Sequence, residues 1–145
     1  MAYIFSGAKQ MFDQKPFNAT LRIEESTYQL QASAITVANA VPATSVMAQG
    51  FGQVIPDDGL MEVIVATPKD RASGLSVLSS LAWSALNNNT SQNDNLACFR
   101  TKQIEVELEE TQKLVVDGEI LDTSKVTVSI HPGALQVVTP IRLKP

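Results

Sequence analysis

Histidine and cysteine are almost missing from this sequence, with one of each, His131 and Cys98, in 145 residues. A single cysteine closes no internal disulfide, and the pair cannot assemble the usual Cys/His zinc centres. A reducing, cytoplasmic setting is the simplest expectation. Basic residues are scarce as well. Eleven Lys and Arg against 15 Asp and Glu leave a net charge of -4. The positive stripe that a nucleic-acid binder needs is therefore not expected. No apolar run approaches the roughly 18 residues of a spanning helix. No basic segment precedes an apolar run in Met1–Lys9, so a cleavable signal is not expected either. Without one, the triplets Asn18-Ala19-Thr20 and Asn88-Asn89-Thr90 carry no meaning as glycosylation acceptors. Phosphate-cradling glycine loops are also lacking, since Gly50-Phe51-Gly52 alone is too weak a signal.

What the sequence does contain is apolar patterning. Hydrophobic residues make up 44% and charged residues 18%, enough for one continuous core over 1–145 read as a single domain. Ile4, Ala8, Met11 and Phe12 recur at helical spacing, which predicts a short amphipathic helix over Ala2–Phe12. Leu21 and Ile23, a turn at Glu25-Ser26, then Tyr28, Leu30 and Ala32 alternating with polar residues predict a hairpin. Ile35–Val37 continues as a strand, and 40–58 breaks up into small residues, Gly and Pro. Met61–Ala66 is a nearly continuous apolar strand. Pro68 and Asp70 open a second helix, with Leu75, Leu78, Ala82 and Leu86 expected on its buried face. It runs out in a polar loop through Asn95.

Strand and turn follow to the end. Ile104, Val106 and Leu108 alternate with Glu105, Glu107 and Glu109, and Asp117-Gly118 is a strong hairpin signal. Val126, Val128 and Ile130 lead to His131-Pro132-Gly133. About seven strands with two accessory helices read as a mainly β fold, an antiparallel β-sandwich. No βαβ alternation is visible, so a parallel nucleotide-binding sheet is absent from the pattern.

The chemistry visible in the residues themselves is sparse. His131 reads as a turn residue and Cys98 as a small core residue. The glutamate row of Glu105, Glu107, Glu109 and Glu110 reads as a solvated strand face. Two acidic turns, Asp57-Asp58-Gly59 and Asp117-Gly118-Glu119, are explained by turn geometry alone. The same residues also suit a hard cation at Asp58 and a general base at Glu119. Composition leaves both alternatives open.

An ordered set of motifs shifts the balance. Lys102-Gln103-Ile104-Glu105-Val106-Glu107, then Val115-Val116-Asp117-Gly118-Glu119, then Pro132-Gly133-Ala134-Leu135-Gln136-Val137 resembles the C-terminal half of the diacylglycerol kinase-like lipid kinases. That family includes bacterial diacylglycerol kinases and sphingosine kinases. Upstream, Val37-Ala38-Asn39 and Asp58-Gly59-Leu60 resemble its N-to-D-G-L segment, so the likeness runs from Phe5 to Val138. The segment Gln49–Pro56 departs from the family's tandem-glycine loop, and Ile120 replaces a frequent proline.

The resemblance implies the β-sandwich second domain of a two-domain kinase. The nucleotide-binding domain and its G-G-D-G-T motif have no counterpart here, which makes that domain the implied partner. It implies ATP as co-substrate and a lipid hydroxyl, of a diacylglycerol or a long-chain base, as acceptor. Glu119 would be the proton acceptor. Asp58, with the carbonyls of Ile55 and Leu60, would hold Mg²⁺. An apolar cavity between the sheets, lined by Leu21, Ile35, Val63, Val65 and Leu75, is expected for the lipid. Peripheral membrane contact would follow from such a substrate, although no basic amphipathic helix adds to it. The alternative is a non-catalytic β-sandwich that binds lipid or protein, because a fold alone does not establish activity.

Overall fold

The computed structural model describes residues 15–39, 55, 57–68, 70–87 and 93–136. The helix expected over Ala2–Phe12 and most of the 40–58 segment lie outside them. Seven strands and one helix are described. They are β1 (Phe17–Ile23), β2 (Ser26–Ala32), β3 (Ala34–Ala38), β4 (Met61–Ala66), α1 (Arg71–Asn87), β5 (Leu96–Thr101), β6 (Gln103–Val116) and β7 (Glu119–Ser129).

Every strand pair is antiparallel, in a four-stranded sheet ordered β2-β1-β6-β7 and a three-stranded sheet ordered β3-β4-β5. The chain changes sheets at two short corners. At the first, the Ser33 amide donates to the Ala66 carbonyl at 2.8 Å. At the second, Thr101 Oγ1 donates to the Gln103 carbonyl at 2.9 Å. Strands that pass from one sheet to the other at such corners stack the two sheets face to face.

The main core lies between the sheets. Leu21 and Ile23 of β1, Ile104 and Val106 of β6, and Met61, Val63 and Val65 of β4 form one buried cluster. A second cluster joins Ile64 and Ala66, on the opposite face of β4, to Val77 and Leu81 of α1. β4 is thus covered on both faces, which is why it reads as an unbroken apolar run rather than an alternating one.

Three details differ from the sequence reading. The first hairpin turns at Glu24-Glu25, not Glu25-Ser26, because Ser26 already pairs with Ile23. Glu24 takes the left-handed conformation the tight turn requires, with φ 53°. On α1 the fully buried large side chains among the described residues are Val77 and Leu81, with the expected Leu78 packed beside them, whereas Leu75 is 64% exposed and the Leu86 side chain lies outside the described residues. Leu75 and Val77 are two residues apart, about 200° around a helix, so both cannot face the sheet. Finally, Leu21, Val63 and Val65 are fully buried in the core cluster. They pack the space between the sheets, so they line no open lipid cavity.

Candidate functional site

The β6–β7 hairpin reaches past its own sheet. β1 pairs with β6 only from Ile104 to Leu108, while β6 and β7 stay paired out to Val116 and Glu119. Between the pairs Glu107–Lys125 and Gln112–Thr123 the register shifts. Residues Leu108–Thr111 of β6 there stand opposite Ser124 alone. Such a bulge bends the strand and increases its twist. Beyond it, Gln112–Thr123 is a two-stranded ribbon with both edges unpaired among the described residues.

The tip of that ribbon is a two-residue turn. Asp117 and Gly118 both have positive φ, 48° and 93°, the pattern of the hairpin turn that matches strand twist. Glu119 follows immediately and pairs across the ribbon with Val116. It is exposed. Among the described residues it makes no ion pair. On its face of the ribbon Val116 and Leu121 are exposed large hydrophobics, and Val115 and Ile120 are exposed on the opposite face. An acceptor carboxylate therefore stands on an apolar, solvent-facing tip.

Asp58 lies elsewhere. Its Oδ1 accepts from the Leu60 amide at 2.9 Å, a side-chain-closed turn of the kind Asp favours. Gly59 sits at φ 74° and rests on the second glycine-containing turn: an added Cβ would come 3.4 Å from Pro132 Cγ. The D-G-L and H-P-G segments are thus brought together, although more than 70 positions separate them in sequence. His131 is exposed, and its carbonyl accepts from the Ala134 amide at 3.2 Å, as expected of a turn residue.

The other oxygen of Asp58 faces a cation of the protein itself. Arg100 Nη1 is 3.9 Å from Asp58 Oδ2, and Arg100 Nη2 is 2.8 Å from Glu62 Oε1. Arg100 and Glu62 are direct cross-strand partners in β5 and β4. A hard divalent cation collects several oxygen ligands. Here Asp58 already bonds an amide and faces a guanidinium. No group of three His, Cys, Asp or Glu side chains that could hold a metal exists among the described residues. As they stand, the described side chains at this turn do not by themselves fit Mg²⁺. Ile55 and Leu60 are half-buried beside it.

Glu119 and Asp58 are not brought together. Glu119 begins β7, whereas the Asp58 turn packs on Pro132, three residues beyond the end of that strand. The ten steps between the ends of its 11 residues, at about 3.3 Å each, separate the two by roughly 33 Å along the strand.

In the remaining acidic row Glu105 and Glu107 are engaged in ion pairs. Arg22 pairs with both Glu105 and Glu107, the latter at 2.8 Å, and Lys125 reaches Glu105 at 3.3 Å. Hydrogen bonds from Arg22 and then Lys125 hold the Glu105 carboxyl below its usual range. Glu107 and Glu105 in turn raise Arg22. This is a charge ladder on a water-facing sheet. Cys98 is half-buried, and burial, followed by the Glu62 charge, pushes its thiol up to about 11; it is no nucleophile at neutral pH. Two shallow depressions of about 540 and 460 Å³ are lined by residues of the four-stranded sheet and its corner, and neither includes Glu119 or Asp58. Sequence reasoning missed Arg100 and Glu62. A lone charge within an otherwise apolar strand was the only available signal for each.

Two antiparallel sheets, with a helix on one outer face and an acidic hairpin tip, make this a β-sandwich domain. Residues 1–139 match the family described as the YegS C-terminal NAD kinase beta sandwich-like domain, and the chain belongs to that family. An uncharacterized protein of Synechocystis sp. is 44% identical over 141 residues, covering 97% of this chain and 33% of that protein. Among solved structures, a candidate diacylglycerol kinase from Bacillus anthracis superposes with TM-score 0.61 at 18% identity, over 87% of this chain and 41% of its own. A structure described as a diacylglycerol kinase from the same organism gives TM-score 0.56 at 14% identity, over 88% of this chain and 47% of its own. The chain thus spans about a third of the curated relative and under half of each solved neighbour. No helix among the described residues is long and apolar enough to cross a membrane.

Proposed function

We propose that this chain is the C-terminal, lipid-facing domain of an ATP-dependent kinase that phosphorylates a lipid hydroxyl, of a diacylglycerol or a long-chain base. The observation that carries this reading is the ribbon tip. Glu119 is exposed there, makes no ion pair among the described residues, and shares its face of the ribbon with Val116 and Leu121. A carboxylate so placed can accept a proton while the apolar side chains beside it contact hydrocarbon.

In this reading the Glu119 carboxylate takes the proton of the lipid hydroxyl as its oxygen attacks the γ-phosphate. The new O–P bond forms as the bond to ADP breaks, and the phosphate charge is neutralised on the nucleotide side. ATP belongs to a separate nucleotide-binding domain, the partner across the cleft. Magnesium that serves the transfer belongs with the nucleotide rather than at the Asp58 turn. The setting is cytoplasmic, with peripheral contact to the membrane that holds the substrate.

Lipid phosphorylation by the full-length protein tests the assignment. Glu119→Gln is expected to lower kcat about 10²- to 10⁴-fold, the usual contribution of general-base catalysis. Its melting temperature should be unchanged, because the side chain is exposed. An unchanged kcat would move the tip to the non-catalytic, binding reading.

A further inference from the structure

We propose that Arg100 is the resident cation of the Asp58 turn, where the family resemblance implies magnesium. Glu62 is the starting point. Its side chain is 6% exposed, and a buried carboxylate is retained only with a close, hydrogen-bonded partner. Arg100 is that partner, set directly opposite by the β4–β5 register and bonded at 2.8 Å. The guanidinium is a rigid fork with several donors, so one side chain can serve two acceptors. While Nη2 holds Glu62, Nη1 points toward Asp58 at 3.9 Å.

The turn is therefore secured from three directions. Asp58 Oδ1 closes it internally on the Leu60 amide, Asp58 Oδ2 meets Arg100, and Gly59 packs on Pro132. A divalent ion placed on Asp58 would stand within a few ångströms of a guanidinium, a repulsive arrangement that only several further oxygen ligands would offset. No group of three acidic, His or Cys side chains assembles them among the described residues. Glu62, the nearest acidic residue along the chain toward β4, is already held by Arg100. The inference concerns the opposite end of β7 from Glu119, so it stands or falls independently of the proposed catalytic role.

Thermal melting of the 145-residue chain, in EDTA and in millimolar MgCl₂, is the first test. With Arg100 in place the melting temperature should agree within about 1 °C between the two, because a ligand that does not bind the native state adds no stability. A rise of several degrees in MgCl₂ that Asp58→Asn abolishes would overturn the proposal. The second test is a double-mutant cycle between Asp58→Asn and Arg100→Gln in a Glu62→Gln background, which spares the fold an orphaned buried carboxylate. A coupling of about two- to fivefold in the folding equilibrium constant is expected for a partly exposed ion pair. Absence of coupling would overturn the proposal as firmly as a magnesium response.

Discussion

Asp70 is a single residue that starts an element. Its Oδ1 accepts from the Ser73 amide at 2.7 Å, and the Asp70 amide donates to Ser73 Oγ at 3.0 Å. That reciprocal pair is a capping box with serine in the third position. It satisfies amides that the first helical turn would otherwise leave open. The Ser73 amide, then the Ser73 hydroxyl, hold the Asp70 carboxyl below its ordinary value. A carboxyl depressed on folding contributes stability above its unfolded value, about 4, and that contribution disappears as pH falls through the folded value. Glu105 is depressed in the same sense. Urea midpoints are therefore expected to drop between pH 5 and pH 3. Asp70→Asn, which keeps an acceptor but removes the titration, should flatten part of that drop. A pH profile unchanged by the substitution would refute the capping contribution.

At the scale of the element, α1 shows how an ambiguous pattern is settled. Residues 72–87 contain no charge, so apolar residues surround the helix and several candidate faces exist. The sheet selects one. Val77 and Leu81 are fully buried against Ile64 and Ala66, and Leu75 and Trp83 are left exposed. Leu81→Ala should cost about 2–5 kcal/mol, the usual range for truncating a buried leucine. Leu75→Ala should change stability by no more than about 0.5 kcal/mol. Chemical denaturation of the two variants separates them, and equal costs would restore the face read from spacing alone. The ribbon is the opposite case. Its turn residues and its alternation specify it locally, and its register shift aims it away from the sheet.

For the whole molecule, the arrangement of the two acidic turns matters most. They lie at opposite ends of β7, so a chemistry centred on Glu119 draws nothing from Asp58 within this chain. In the proposed reading the nucleotide is presented at the ribbon tip by a separate domain. The described residues contain no parallel sheet to hold one. Calorimetry on the isolated chain is accordingly expected to detect no ATP binding in the micromolar range, and no phosphate transfer should accompany it. Micromolar affinity would contradict the division of labour proposed between the two domains.

The sequence by itself determined most of the strands, the Asp117-Gly118 turn and the sandwich class, because alternation and turn chemistry act over a few neighbouring residues. It also marked Asp58 and Glu119 as the acidic residues of interest. Tertiary structure alone decided which face of α1 is buried, that Gly59 meets Pro132, and that Arg100 stands between Glu62 and Asp58. Those outcomes depend on strand register and on which sheets stack. Register pairs Arg100 with a residue 38 positions away, and no local preference in the chain encodes a partner at that distance.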